Sequence, residues 1–391
     1  MLKKPRLFTA GPTPLHPEAI RAAAGPVPYH RTPEFAACFD RIQFGLKAAF
    51  RTQGPVAVLT SSGTGAMEAA LASLFAAGDR VVVVVGGKFG ARWAEIAVAY
   101  GLEVLELTVK PGQLVTPADV AVMVEHSAPV RGLFVTASET STGTICDVRA
   151  IVDAVRDVEP EIIIVVDAIS SVGALPIATD EWGLDAVVGG AQKAFMIPPG
   201  LAFVACSPRG WELVGNRSAS PRYYLDLGKY AASAEKSQTP FTPGIGLLLA
   251  LEASLKAIDE AGGIQALERN ADRLATACRA AVTALDLQLL SSAPSPAVTA
   301  IKAPVPGTGP DIVAAMRDHY GAQLSGGQGE LKEHIFRIGH IGYVDDLDLL
   351  AVLAALEGVL ADRSHEFSMG AGMAAAVASL ASARGSGGST G

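Results

Sequence analysis

The sequence predicts an α/β protein: a large domain on a mainly parallel sheet, followed by a smaller α+β C-terminal domain. Three observations lead there. Between Val56 and about Cys206, short β-branched runs alternate with longer amphipathic stretches. Those runs are apolar on both faces, as strands must be when helices cover both sides of a sheet. The chain has 391 residues, half of them hydrophobic, and its pattern changes near residue 250; that is more than one compact domain usually holds.

Taken in order, strands are expected at VAVL from Val56, RVVVVV from Arg80, EVLEL from Glu103 and GLFVTA from Gly132. EIIIVVD from Glu161, DAVVGG from Asp185 and LAFVAC from Leu201 complete the set. Helices are expected from Gly65, Ala91, Pro117 and Asp147. A long helical pattern in FTPGIGLLLALEASLKAIDEAGG then ends at Gly262 and Gly263, which opens a segment with helices near 263–284 and 311–320. The expected organisation is an N-terminal segment (1–20) packed with the small domain, a large domain (21–250) and the small domain (251–364). Residues 365–391 contain GAGMAAAVASLASARGSGGSTG, too poor in large apolar groups to form a core, and are expected as a helix fraying into a disordered tail.

The formal charge of −8 and pI near 5.4 offer no general attraction to nucleic acid or to anionic lipid. A small-molecule partner is expected instead. Cys38, Cys146, Cys206 and Cys278 lie far apart without a C-x-x-C pair, so neither a metal site nor a disulfide framework is expected. No apolar h-region precedes the first prolines and no run reaches the roughly 18 residues of a spanning helix. A soluble, cytoplasmic protein is the expectation.

In a parallel sheet ligands gather at the carboxyl ends of the strands. Asp167 ends EIIIVVD, where a carboxylate must reach solvent or find a cationic partner, since burying it alone costs several kcal/mol. Lys193 follows DAVVGG among small and apolar residues, just before the Pro198-Pro199-Gly200 turn. Desolvation there lowers an amine's pKa and makes it nucleophilic. At the first strand end Ser61, Ser62, Gly63, Thr64 and Gly65 run directly into a helical pattern; free N–H groups and a positive dipole end make such a turn an anion site. The turn matches neither the P-loop nor the dinucleotide fingerprint. Phe89 in GGKFGARW offers a face to a planar ring, and Thr140 lies in SETSTG. Taken singly, a loop lysine, a strand-end aspartate and a glycine-rich turn are each ordinary features of surface structure.

Together the motifs resemble one family. HRTPEF (30–35), SSGTGAMEA (61–69), KFGARW (88–93), SETSTG (138–143), VVDAISSVG (165–173), GGAQKAFMIPPGLAFV (189–204) and FRIGHIG (336–342) are similar to the class V, fold-type-I aminotransferases, in particular the alanine/serine–glyoxylate branch. The resemblance implies pyridoxal 5'-phosphate as cofactor, carried by Lys193 as a Schiff base, with Asp167 holding the ring nitrogen protonated. It implies that Phe89 and Ile169 pack on the two ring faces, that Thr64, Gly65 and Gln192 bind the phosphate, and that Thr140 contacts the ring region. Thr242 resembles the residue that reaches the neighbouring subunit's phosphate, which implies a homodimer with shared sites. The sequence departs from some relatives at Ala66, Ala191 and Thr239, where a histidine, a serine and a tyrosine occur.

Amino transfer needs an electron sink, which the cofactor provides while a carboxylate keeps its ring nitrogen protonated. Lys193 would then move the substrate α-proton. Arg337 in FRIGHIG is the candidate for the substrate carboxylate, because a planar guanidinium binds it bidentately. The resemblance points to alanine or serine as donor and glyoxylate or pyruvate as acceptor. Arg31 bears on the alternative of an aspartate-type donor, since a second cation at the site would favour a dicarboxylate. His30, Tyr223, Tyr224 and Lys229 are further candidates for side-chain contact. A lyase or a cysteine desulfurase on the same fold is a third reading; the desulfurase needs a mobile cysteine, whereas Cys278 lies in a helical pattern and LSGGQGELKEH has none.

Overall fold

Alternation along the buried strands sends successive side chains into two different cores. The computed structural model describes residues 3–216 and 221–386. Val82, Val84, Leu133, Val135, Ile164 and Val166 face one core. Their neighbours Val81, Val83, Phe134, Ile163 and Val165 face the other. A sheet whose strands are apolar on both faces must be covered on both sides. Helices Pro33–Phe50, Pro117–His126, Val148–Val158 and Ile245–Glu260 supply one layer, and Gly63–Leu74, Lys88–Ala99, Pro208–Gly215 and Leu227–Ala234 the other.

The sheet has seven strands in the order Val56–Leu59, Ala202–Ala205, Ala186–Gly190, Ile163–Asp167, Gly132–Thr136, Arg80–Val85, Glu103–Thr108. Ala202–Ala205 runs antiparallel to both neighbours, and the other pairings are parallel. The carboxyl ends after Leu59, Val85, Thr136, Asp167 and Gly190 therefore open along one edge. The strands fall where the sequence places them, to within two residues. Two helices begin earlier than expected, at Gly63 and Lys88, because glycines that read as turn residues are already helical there.

A second, four-stranded sheet has the order Arg6–Phe8, Ala322–Gly326, Ile335–Gly339, Val298–Lys302. Helices Ile264–Ala284, Gly309–Tyr320, Asp346–Ala361 and Ala371–Ser386 enclose its core. Arg6–Phe8 pairs in parallel with Ala322–Leu324, so the N-terminal segment adds a strand to this sheet. Residue 250 lies inside the unbroken helix Ile245–Glu260, whose Leu248, Leu251 and Ile258 pack with the large sheet. The change of core occurs along the next helix, where Ile264 belongs to the large core and Leu274 onward to the small one. Ala371–Ser386 is helical; the expected disordered end, residues 387–391, lies outside the described residues.

Candidate active site

Five strand ends converge on a cavity of about 280 Å³. Lys193, Asp167, Thr64, Phe89, Ile169 and Gln192 all line it, so six of the sequence-expected residues meet in one place.

Lys193 follows the strand Ala186–Gly190 in a turn closed by the Met196 N–H donating to the Lys193 carbonyl at 3.1 Å. Met196 holds a left-handed φ of 55° there, uncommon for a side-chain-bearing residue and found at constrained sites. The lysine is buried, and its Nζ donates to the Ala10 carbonyl at 2.6 Å. The N-terminal segment is what covers it: Thr13 Oγ1 donates to the Lys193 carbonyl at 2.7 Å, and the Thr13 N–H to the Gln192 carbonyl at 3.1 Å. Burial pushes the amine down to about 8, against opposition from the nearby Asp167 charge.

Asp167 closes the strand Ile163–Asp167 and is buried; its Oδ1 accepts from the Ile169 N–H at 2.9 Å. Burial pushes its carboxyl up to about 7, partly offset by that hydrogen bond. A carboxylate raised by desolvation lacks a full cationic partner. At the first strand end Ser62 is the N-cap of helix Gly63–Leu74 but makes no side-chain cap bond. The first-turn amides of Gly63 and Thr64 are left for an outside acceptor. The Gln192 side-chain oxygen is buried without a hydrogen-bond partner among the described residues; its amide, whose orientation can flip, is the kind of group a bound anion would satisfy.

Phe89 stands in the first turn of helix Lys88–Ala99, where its N–H and that of Gly90 donate to Glu139 Oε2 at 2.9 and 3.0 Å. The buried Glu139 thus caps the helix that carries the ring. Three residues on, the Arg92 guanidinium lies 5.1 Å from the Phe89 ring centre.

Four expected residues do not line this cavity. Gly65 sits one position deeper in the helix, its N–H taken by the Ser62 carbonyl at 2.9 Å. Thr140 is buried and does not line the cavity, whereas Ser138 does. Arg337 is buried on the strand Ile335–Gly339 and donates to the Gly326 carbonyl at 2.6 and 3.0 Å and the Thr140 carbonyl at 2.5 Å. Burial pushes its guanidinium down to about 10, with no carboxylate within ion-pair distance among the described residues. Thr242 is exposed in the loop before helix Ile245–Glu260.

Arg31 is held by Gln238 Oε1 at 2.7 Å and the Thr239 carbonyl at 3.1 Å, and it does not face the cavity. Tyr223 is exposed under Lys229, whose Nζ lies 3.5 Å from the ring centre, and Tyr224 stacks on Phe241. His30 packs edge-on against Phe35. Ala66 and Ala191 are wholly buried, and Thr239 is buried with its hydroxyl on the Phe241 carbonyl. Cys278 is enclosed in the small core, its thiol pushed up to about 12 by burial.

Ser62 and Gly63, part of the turn expected to bind an anion, also line the cavity, as do Gly11, Arg92 and Ser170, which carry no expected role. Arg92 had a signal, since three residues in a helix place it over Phe89. Gly11 had none, because its contact with Lys193 spans most of the large domain.

A buried amine and a buried under-neutralised carboxylate face one small cavity with open helix amides and an aromatic ring. That is a site for a planar, phosphate-bearing aldehyde with a basic ring nitrogen, and the residues fit pyridoxal phosphate. Residues 28–332 match the Aminotransferase class-V family. A Synechococcus protein named as the small subunit of a soluble hydrogenase is 44% identical over 98% of this chain and 100% of its own length. The L-aspartate–glyoxylate aminotransferase of Paracoccus denitrificans is 33% identical over 95% of this chain and 94% of its own. Among solved structures, a subgroup IV aspartate aminotransferase from Thermus thermophilus has a TM-score of 0.84 and 36% identity, covering 91% of this chain and 99% of that one. The chain belongs to the class V aminotransferases, with the fold-type-I architecture. It is a transaminase whose cofactor is pyridoxal 5'-phosphate.

Proposed function

We propose that this enzyme moves the amino group of a small amino acid, alanine or serine, to a small 2-oxo acid, glyoxylate or pyruvate, with Lys193 bearing the cofactor and Asp167 facing its ring nitrogen. The carrying observation is the Lys193/Asp167 pair, each buried and each displaced by burial toward its neutral form, around a cavity of about 280 Å³. When bound, pyridoxal phosphate supplies the electron sink for charge left at the substrate α-carbon.

The protein's residues then have separable tasks. Asp167, raised by burial, gains the cation it lacks and stays ionised opposite a protonated ring nitrogen. Phe89 and Ile169 offer apolar faces to a planar ring. Gly63, Thr64 and Gln192 hold the phosphate, with Gly65 tightening the turn beneath them. With the cofactor held, Lys193 Nζ would be the base that takes the proton from the substrate α-carbon and the acid that gives it to the carbon that had been the cofactor's aldehyde; an amine brought down to about 8 holds and gives up a proton near neutral pH. Arg337 binds the substrate carboxylate, and Thr140 aims it through its carbonyl. The support for Arg337 is a buried guanidinium with only backbone carbonyls as partners.

The enzyme is proposed to act as a cytoplasmic homodimer in which Thr242 reaches the partner's phosphate site. Supporting this, Thr242 faces outward, and Phe44, Val27 and Tyr29 are 74%, 65% and 67% exposed, apolar surface of the kind an interface covers. The four cysteines are free thiols, as suits a reducing compartment. No described helix is long and apolar enough to cross a membrane.

A dicarboxylate donor is the second reading, favoured by the aspartate in the names of the Paracoccus relative and the Thermus neighbour. Against it, Arg31 is occupied by Gln238 and Thr239. A panel of donors against glyoxylate, pyruvate and 2-oxoglutarate, followed by single-turnover loss of the lysine-bound cofactor's visible band, decides between them. Alanine or serine with glyoxylate should have the highest kcat/KM. An advantage of aspartate or glutamate above about tenfold, roughly 1.4 kcal/mol in transition-state binding, would overturn the small-donor reading.

A further inference from the structure

We infer that Arg92 supplies the cationic partner of the cofactor's phosphate, an assignment that rests on the reading of this cavity as the pyridoxal phosphate site. Arg92 lines the cavity in helix Lys88–Ala99. One guanidinium nitrogen donates to Thr64 Oγ1 at 3.3 Å, in the very turn whose open amides await an anion, and the group lies over the Phe89 ring at 5.1 Å.

Two further observations bear on its charge. Arg41, Arg51 and Arg149 each lie against a carboxylate, whereas Arg92 has no carboxylate within ion-pair distance among the described residues. The described residues lining the cavity include just two cationic side chains, Lys193 and Arg92, and Lys193 is committed to the aldehyde end. Lys88, next to Phe89, reaches toward Glu95 at 3.8 Å instead.

A phosphate monoester carries between one and two negative charges at neutral pH, and a helix N-terminus offsets about half of one. The remainder calls for a full positive charge. A guanidinium suits it, having five donors in a planar fork that meets phosphate oxygens in pairs, of which Thr64 engages one. The same side chain, stacked on Phe89, ties the phosphate end of the site to the ring end.

The test compares two probes on cofactor-free protein: pyridoxal phosphate, and pyridoxal, which has the aldehyde and ring but no phosphate. Visible absorbance reads binding of each to wild type, Arg92→Gln and Arg92→Lys. Arg92→Gln should weaken pyridoxal phosphate at least tenfold, about 1.4 kcal/mol, and change pyridoxal less than twofold. Arg92→Lys should recover part of the loss, and the salt dependence of pyridoxal phosphate binding should be flatter in Arg92→Gln than in wild type. Equal loss for both probes would make Arg92 merely a support for Phe89, and no loss for either would remove it from the site; both overturn the inference. If Arg92→Gln does not fold, Arg92→Lys carries the test alone, with a smaller loss confined to pyridoxal phosphate supporting the inference and an equal or absent loss refuting it. Wild-type protein that binds neither probe would overturn the cofactor site itself, a result distinct from these.

Discussion

Gly11 passes so close to Lys193 that a Cβ at position 11 would overlap the lysine Nζ, and its φ of 141° lies where side-chain-bearing residues are strained. The N-terminal segment is therefore the lid on the lysine as well as a strand of the small sheet. Gly11→Ala should push the segment off Lys193 and weaken pyridoxal phosphate binding at least tenfold. Circular dichroism should remain near wild type, since the large core is not touched. Unchanged affinity in an absorbance titration would show that the segment does not set the lysine's position.

The pH at which Lys193 reacts follows from its burial. Its amine is brought from 10.5 down to about 8, so the neutral, nucleophilic fraction rises with pH through about 8 and saturates above it. The rate of cofactor addition to cofactor-free protein should follow that curve in stopped-flow absorbance. A rate still climbing steeply at pH 10 would mean that burial does not prepare the amine.

Asp167 gives a stability signature from the same cause acting in the opposite direction. Its folded carboxyl is raised from 3.8 to about 7 by burial, so between those values the folded state binds more protons than the unfolded one. Stability contributed by the neutral form is complete at low pH and declines as pH rises from about 4 to about 7. Cofactor-free Asp167→Asn should lose this decline in urea titrations across that window. With cofactor, the same variant should keep its fold and slow the half-reaction by several orders of magnitude; near-normal transamination would take Asp167 out of the mechanism.

Arg337→Lys keeps a charge but loses the planar fork. If Arg337 holds the substrate carboxylate, kcat/KM should fall about a hundredfold, or ~3 kcal/mol, while cofactor affinity stays within about twofold. Loss of cofactor affinity instead would assign Arg337 to the cofactor, through its bond to the Thr140 carbonyl.

How much of this was legible in the sequence depended on range. The buried strands were readable because parallel strands covered on both faces are continuous apolar runs, and Asp167 and Lys193 stood out as charges ending two of them. The turn at Ser62–Thr64 was readable as an anion site, but its register slipped by one or two residues, since glycine reads as turn even where it opens a helix. Glu139 lies within SETSTG, but its cap on the Phe89 helix has no sequence signal, because the contact spans two strand ends. Gly11 over Lys193 was invisible for the same reason: 182 positions separate them, and no periodicity encodes a contact of that kind.

Lys193 is proposed to carry the cofactor as a Schiff base. Borohydride reduction of the purified enzyme followed by peptide mass analysis tests it directly. The pyridoxyl phosphate mass should appear on the peptide containing Lys193, and Lys193→Ala should yield no labelled peptide. A label on another lysine, or a labelled and fully active Lys193→Ala enzyme, would contradict it.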